Sequence, residues 1–282
     1  MVSDTGSGRG TDPGTGTGRR PGHGAWRHVE HAMGTVFSFD IRDPRTPAIE
    51  AALREAVRWL HHVDEVYSTY RPESIICRLS RGEIGLDECS PEVREVLNLC
   101  KRAVRHTGGW FSHLAGGVLD PSGLVKGWSV ERASRILREA GAHNTCVNGG
   151  GDLQLGGEAA PGAPWRIGIA DPLHPGEFST VVTGRDLAIA TSGETERGAH
   201  ILNPHHGTPA DGPASITVVG ARLTMTDAYA TAAFAMGEAA RDWLESLDGY
   251  EGFAVTRDGG SWCTSGFPGE TPPGTRADVS RH

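Results

Sequence analysis

The chain has 282 residues, 37 % of them hydrophobic and 22 % charged, enough for one large or two medium domains with a real core. Its 27 Lys and Arg against 35 Asp and Glu leave a formal charge of −8, which excludes long-range attraction to nucleic acid or anionic lipid but allows a local basic site for one compact anion. Cys77, Cys89, Cys100, Cys146 and Cys263 have no CxxC spacing and read as free thiols. With no run of eighteen apolar residues and no signal-peptide core, the expected location is cytoplasmic, without a membrane anchor.

Residues 1–24 are Gly, Thr, Arg and Pro with little to bury, and they read as a disordered tail. The folded body is expected over about 25–263, with a second flexible tail over 264–282. Phe37, Phe39 and Ile41 alternate with Ser38 and Asp40, the period of a half-buried strand. From Pro47 to Tyr67 the stripe Ile49, Leu53, Val57, Leu60, Val63 and Tyr67 predicts an amphipathic helix. A second helix starts at Ser90-Pro91-Glu92 and stops at Gly108-Gly109, and a third runs from about Gly127 to Ala140. Short strands follow at Asn144–Asn148, Trp165–Ala170, Ser179–Thr183, Leu187–Ala190 and Ser215–Val219. Helices near Asp227–Met236 and Glu238–Leu247 come next, then strands at Gly252–Thr256 and Ser261–Cys263. Helices and strands in mixed blocks, without strict alternation, predict an α+β fold.

Asp227 and Thr231, four apart at an expected helix start, project from one face, and a carboxylate with a hydroxyl suits a hard cation such as Mg²⁺. Equally, such an Asp can simply complement the helix dipole, and such a Thr can bond back to its own helix. Asp120 to Gly127 leads into the third helix with a carboxylate, a glycine turn and Lys126, which suits a pyrophosphate or an ordinary loop. Asn148-Gly149-Gly150-Gly151-Asp152 can cradle phosphate or turn a hairpin; it lacks GxGxxG and opens no helix. Thr191-Ser192-Gly193 and His200 supply hydroxyls and a candidate general base. No GxSxG elbow is present.

Seven blocks in order resemble the ApbE-like flavin transferase family, whose members move FMN from FAD onto a protein threonine. They are AMGT at 32–35, STYRPES at 68–74, the Asp120–Gly127 block, NGGGD at 148–152, ATSG at 190–193, HILNP at 200–204 and TDAYAT at 226–231. The resemblance spans about residues 30–256. It implies an α+β, T-fold-like architecture of mixed or antiparallel sheets with flanking helices.

By that resemblance Met33 and Tyr70 line the flavin ring, and Trp110, Phe111 and Ser112 touch the adenosine half of FAD. Asp120, Lys126 and Ser192 bind the nucleotide and its pyrophosphate. Mg²⁺ is held by the Asp227 carboxylate, the Thr231 hydroxyl and the Val125 carbonyl, and His200 is the base. The implied substrates are FAD and an acceptor protein carrying a target threonine or serine, with AMP released. The chain departs from the family pattern at Ser112, Glu131 and Asn203, each an aspartate in many relatives. Three readings stay open from sequence: an FMN transferase, a Mg²⁺-dependent FAD pyrophosphatase, and a flavin binder without chemistry.

Overall fold

The protein was described from a computed structural model covering residues 25–193 and 201–270. A strand that periodicity did not single out, β1 (Trp26–Ala32), turns at Met33-Gly34 into β2 (Thr35–Ile41). Met33 sits in this turn at φ 49°, an unusual conformation for a residue with a side chain.

Helix α1 (Pro47–Tyr67) opens as the sequence predicts, with Pro47 in its first turn and the Thr46 Oγ1 accepting from the Ile49 N–H at 3.2 Å. Its fully buried face is Ile49, Ala52, Ala56, Leu60, Val63 and Tyr67, so two alanines take places that the stripe assigns to the half-buried Leu53 and Val57. Short α2 (Ile75–Ser80), capped by Ser74, was not expected, whereas α3 (Pro91–His106), capped by Ser90, was.

Helix α4 (Ser122–Glu139) begins at Ser122 rather than near Gly127, which places Lys126 inside the helix instead of in the loop before it. Then come β3 (Thr145–Gly149), β4 (Asp152–Gly156), β5 (Trp165–Ala170), β6 (Phe178–Gly184), β7 (Ala188–Gly193) and β8 (Ser215–Gly220). Helices α5 (Leu223–Met236) and α6 (Ala240–Glu245) precede β9 (Glu251–Val255), β10 (Ser261–Cys263) and β11 (Gly269–Glu270).

The strands form an eight-stranded sheet in the order β1-β2-β3-β4-β7-β8-β9-β10 and a three-stranded sheet β11-β6-β5, with antiparallel neighbours throughout. The expected α+β class stands, and the sheets are antiparallel rather than mixed.

One correction concerns the C-terminal boundary. The fold continues past Cys263, because β11 pairs with β6 and the buried Thr264 accepts the Gly252 N–H through its Oγ1 at 2.9 Å. Residues 1–24 and 271–282, expected as tails, lie outside the described residues.

Alternation along β4 decides what the large sheet presents to each side. Leu153 and Leu155 pack with Trp165, Ile169, Val182 and Ile189 against the small sheet. Asp152 and Gln154 point the other way, toward α4 and α5, and the Gln154 Oε1 accepts the Leu223 N–H at 2.9 Å at the start of α5. Helix α5 is buried on nearly every side, as its Ala-rich, apolar composition requires. Among the described residues no helix is long and apolar enough to cross a membrane.

Candidate active site

The site grows from the crossing of α4 and α5. Gly123 and Gly127 lie four apart on α4, opposite Asp227 and Thr231, four apart on α5. A Cβ at position 127 would sit 2.6 Å from the Leu223 carbonyl oxygen and 2.7 Å from the Asp227 Cβ, so only glycine permits this approach. The Gly127 N–H donates to the Asp227 Oδ2 at 2.8 Å. A Cβ at position 123 would lie 3.3 Å from both the Thr231 Oγ1 and the Phe111 ring.

Asp227 is an interior residue of α5, not the first-turn residue the sequence suggested, so complementing the helix dipole does not explain it. The back-bonding alternative falls to a neighbour: the Thr226 Oγ1 donates to the Arg222 carbonyl at 2.8 Å.

A second carboxylate completes the cluster. Asp152, 1 % exposed at the side chain, approaches the Lys126 Nζ with its Oδ2 at 2.6 Å as an ion pair, outside hydrogen-bond alignment. Its Oδ1 accepts the Thr191 N–H at 3.0 Å. Burial, and then the facing Asp152 carboxylate, raise the pKa of Asp227 well above the ordinary carboxylate range, with Lys126 and the Gly127 N–H offsetting part of the rise. With both acids ionised, one lysine leaves an excess of negative charge that a proton or a bound cation would relieve.

Asp152 was not among the residues chosen from sequence. The available signal was the NGGGD block: a turn with positive φ at Gly150 and Gly151 makes Asp152 the first residue of β4, at the cleft edge. That block is therefore a hairpin, and its glycines line the cleft as well.

These groups open into a cleft of about 330 Å³, within the usual range for small-molecule sites. Of the residues nominated from sequence, Trp110, Phe111, Ser112, Asp120, Lys126, Ser192, Asp227 and Thr231 line it. Three of them have local anchors. The Phe111 N–H donates to the Thr107 Oγ1, the Ser112 Oγ accepts from the Leu114 N–H, and the Asp120 Oδ1 accepts from the Ser122 N–H at the start of α4. Asp171, unforeseen, lines the cleft too; burial raises its pKa, but the Leu173 and His174 N–H groups outweigh it and hold the carboxyl low.

Three nominated residues stand outside this lining. Tyr70 is 94 % exposed and is not among the residues that line the cleft. Met33 is half-buried in the β1–β2 turn, and Val125 is buried within α4. His200 lies outside the described residues; Ile201, Leu202 and Pro204 line the cleft.

The oxygen donors fit Mg²⁺. The Asp227 carboxylate and Thr231 hydroxyl are hard ligands at a site with surplus negative charge. Among the described residues there is no group of three or more His, Cys, Asp or Glu that could hold a metal ion.

Two of the residues that depart from the family pattern make local hydrogen bonds. Asn203 closes its own turn, its Oδ1 accepting from the His205 N–H at 3.0 Å. The Glu131 Oε2 reaches across from α4 to accept the Thr224 N–H at 3.0 Å and the Thr224 hydroxyl at 2.6 Å, capping α5 from outside. Replacing Glu131 with alanine is expected to destabilise the protein by about 1–2 kcal/mol, the usual cost of a lost cap, in urea unfolding. An unchanged midpoint would refute the capping role.

A family model described as the ApbE family matches residues 33–118 and 114–254. An FAD:protein FMN transferase of Vibrio cholerae serotype O1 is 33 % identical over 130 residues, covering 43 % of this chain and 39 % of that relative. One of Rhodobacter capsulatus is 28 % identical over 193 residues, covering 66 % of this chain and 34 % of that relative. The chain thus spans well under two thirds of the length of these curated relatives. The solved flavin transferase ApbE from Vibrio cholerae shares the fold at a TM-score of 0.71 and 22 % identity, over 86 % of this chain and 98 % of that one. The match running through both helices of the site and the strands beneath them shows that the chain belongs to the ApbE family.

Proposed function

We propose that this protein is a Mg²⁺-dependent transferase that moves FMN from FAD to a threonine or serine hydroxyl of an acceptor protein and releases AMP. Its main support is the meeting, in one cleft, of Lys126, Asp227, Thr231 and Ser192 with the Trp110–Ser112 segment. FAD is the substrate named for its relatives.

The chemistry follows from the parts. Lys126 would contact the pyrophosphate as a point charge on a flexible stem. Asp227, Thr231 and the Val125 carbonyl would hold Mg²⁺, which when bound supplies neutralisation of phosphate charge. Trp110 and Phe111 offer flat apolar surface, and Trp110 is braced edge-on by His205 at a ring separation of 4.6 Å. His200 would take the proton from the acceptor hydroxyl. The hydroxyl oxygen then bonds to the flavin-side phosphorus, the bond from that phosphorus to the bridging oxygen breaks, and the oxygen leaves on AMP. Positioning and charge stabilisation carry most of the rate.

Incubating the purified chain with FAD, MgCl₂ and a candidate acceptor should give a fluorescent acceptor heavier by one FMN, together with one AMP per transfer. FMN and AMP without acceptor modification, across several acceptors, would instead establish the pyrophosphatase. Bound FAD with neither product would establish a carrier.

A further inference from the structure

We infer that Asp152 is a positioning residue that holds the Lys126 ammonium away from Asp227, keeping the Asp227 carboxylate available to a divalent cation. This rests on the reading of the cleft given above.

Asp152 is well placed to act on a neighbour rather than on substrate. Its carboxylate is almost fully buried and fixed to the large sheet by the Thr191 N–H, beside Ser192. Its other oxygen faces the Lys126 Nζ at 2.6 Å. Lys126 has the opposite character, a long flexible stem ending in a compact charge that follows the strongest nearby anion. Two acids lie near it: Asp152 at 2.6 Å, and Asp227, whose Oδ2 accepts the N–H of Gly127, the next residue of α4.

Were Asp152 neutral, the Asp227 carboxylate, which lines the same cleft, would be open to Lys126 as a partner. A lysine paired there would compete with a cation for the same carboxylate. The ion pair to Asp152 separates the two positive charges, assigning one acid to the lysine and the other to the metal. Helix α4 supplies the lysine and, one residue on, the glycine whose N–H fixes Asp227, so the two assignments are made on one rigid element.

The test uses the full chain and reads Mg²⁺ binding from thermal unfolding across a MgCl₂ titration, with and without FAD, beside AMP release. Asp152→Asn, nearly isosteric, is expected to raise the half-saturating Mg²⁺ concentration about tenfold. Lys126→Met alone should bind Mg²⁺ at least as tightly as the native chain, and Asp152→Asn/Lys126→Met should regain native Mg²⁺ binding. A merely structural aspartate would not be rescued by removing the lysine.

Native Mg²⁺ binding in Asp152→Asn, or a double variant as weak as the single, overturns the inference. So does a double variant that fails to fold, which would assign Asp152 to stability. Mg²⁺ binding to the native chain without AMP release or flavin transfer would sink the proposed reaction alone. No Mg²⁺ binding to the native chain would sink both.

Discussion

Asp227→Asn is expected to lose flavin transfer and AMP release by on the order of 100-fold or more while keeping the fold. The asparagine oxygen can still accept the Gly127 N–H, so the crossing of α4 and α5 survives and only the charge is removed. Two measurements besides activity check the cause. MgCl₂ should raise the melting temperature of the native chain, EDTA should abolish that rise, and the variant should show none.

The second is pH. Burial and the facing Asp152 carboxylate raise the folded-state pKa of Asp227 above its unfolded value, so its ionised form is disfavoured in the fold. Below the ordinary carboxylate range the group is protonated in both states and costs nothing. As pH rises from there toward the elevated folded value, ionisation in the unfolded chain becomes a growing penalty on folding. In metal-free buffer Asp227→Asn should therefore melt above the native chain at pH 8, with the gap closing at about pH 4. A variant less stable than the native chain at pH 8 without metal would show that Asp227 is held as a stabilising ion, and the metal assignment would lose its electrostatic basis.

Gly127→Ala should be the most damaging single methyl addition at the site. The added carbon would meet the Leu223 carbonyl at 2.6 Å and the Asp227 Cβ at 2.7 Å, and neither atom belongs to the far end of a flexible side chain. Relief requires α4 and α5 to move apart, which separates Asp227 from its backbone donor. Overpacking of this kind costs about 1–3 kcal/mol, and the roughly 1 kcal/mol by which alanine favours a helix offsets it in part. We expect a lower melting temperature and a loss of Mg²⁺-induced stabilisation. Gly123→Ala meets atoms no nearer than 3.3 Å and should be milder on both counts. A Gly127→Ala protein that melts above the native chain would mean that the helices have slack at this crossing, against the close approach described here.

Much of the site was legible because its chemistry is carried by short blocks whose residue types are demanded locally. Asp227 and Thr231 share a helix face by spacing alone, and Asp120 stands just before α4 while Lys126 lies inside it. The cleft joins these blocks although they lie about a hundred residues apart. Tyr70 lies in one of these blocks and is exposed, outside the cleft lining, a placement that its block alone does not reveal.

The sequence by itself determined the amphipathic helices α1 and α3, with the early Pro47 and the Ser90 start signal, and the α+β class, because apolar period and helix starts are properties of neighbours in the chain. Only the tertiary structure decided three other matters. Strand β1 alternates charged and apolar residues too weakly to stand out, and it is held by pairing with β2. Helix α4 runs through Gly123 and Gly127, which locally read as a turn, because contact with α5 outweighs the helix cost of glycine. Asp152 joined Lys126 because one hairpin set the parity of β4, and parity decides whether a side chain faces the helices or the small sheet. Local preference acts over one turn of chain, whereas close approach, strand parity and shared burial of charge exist only once distant segments have met.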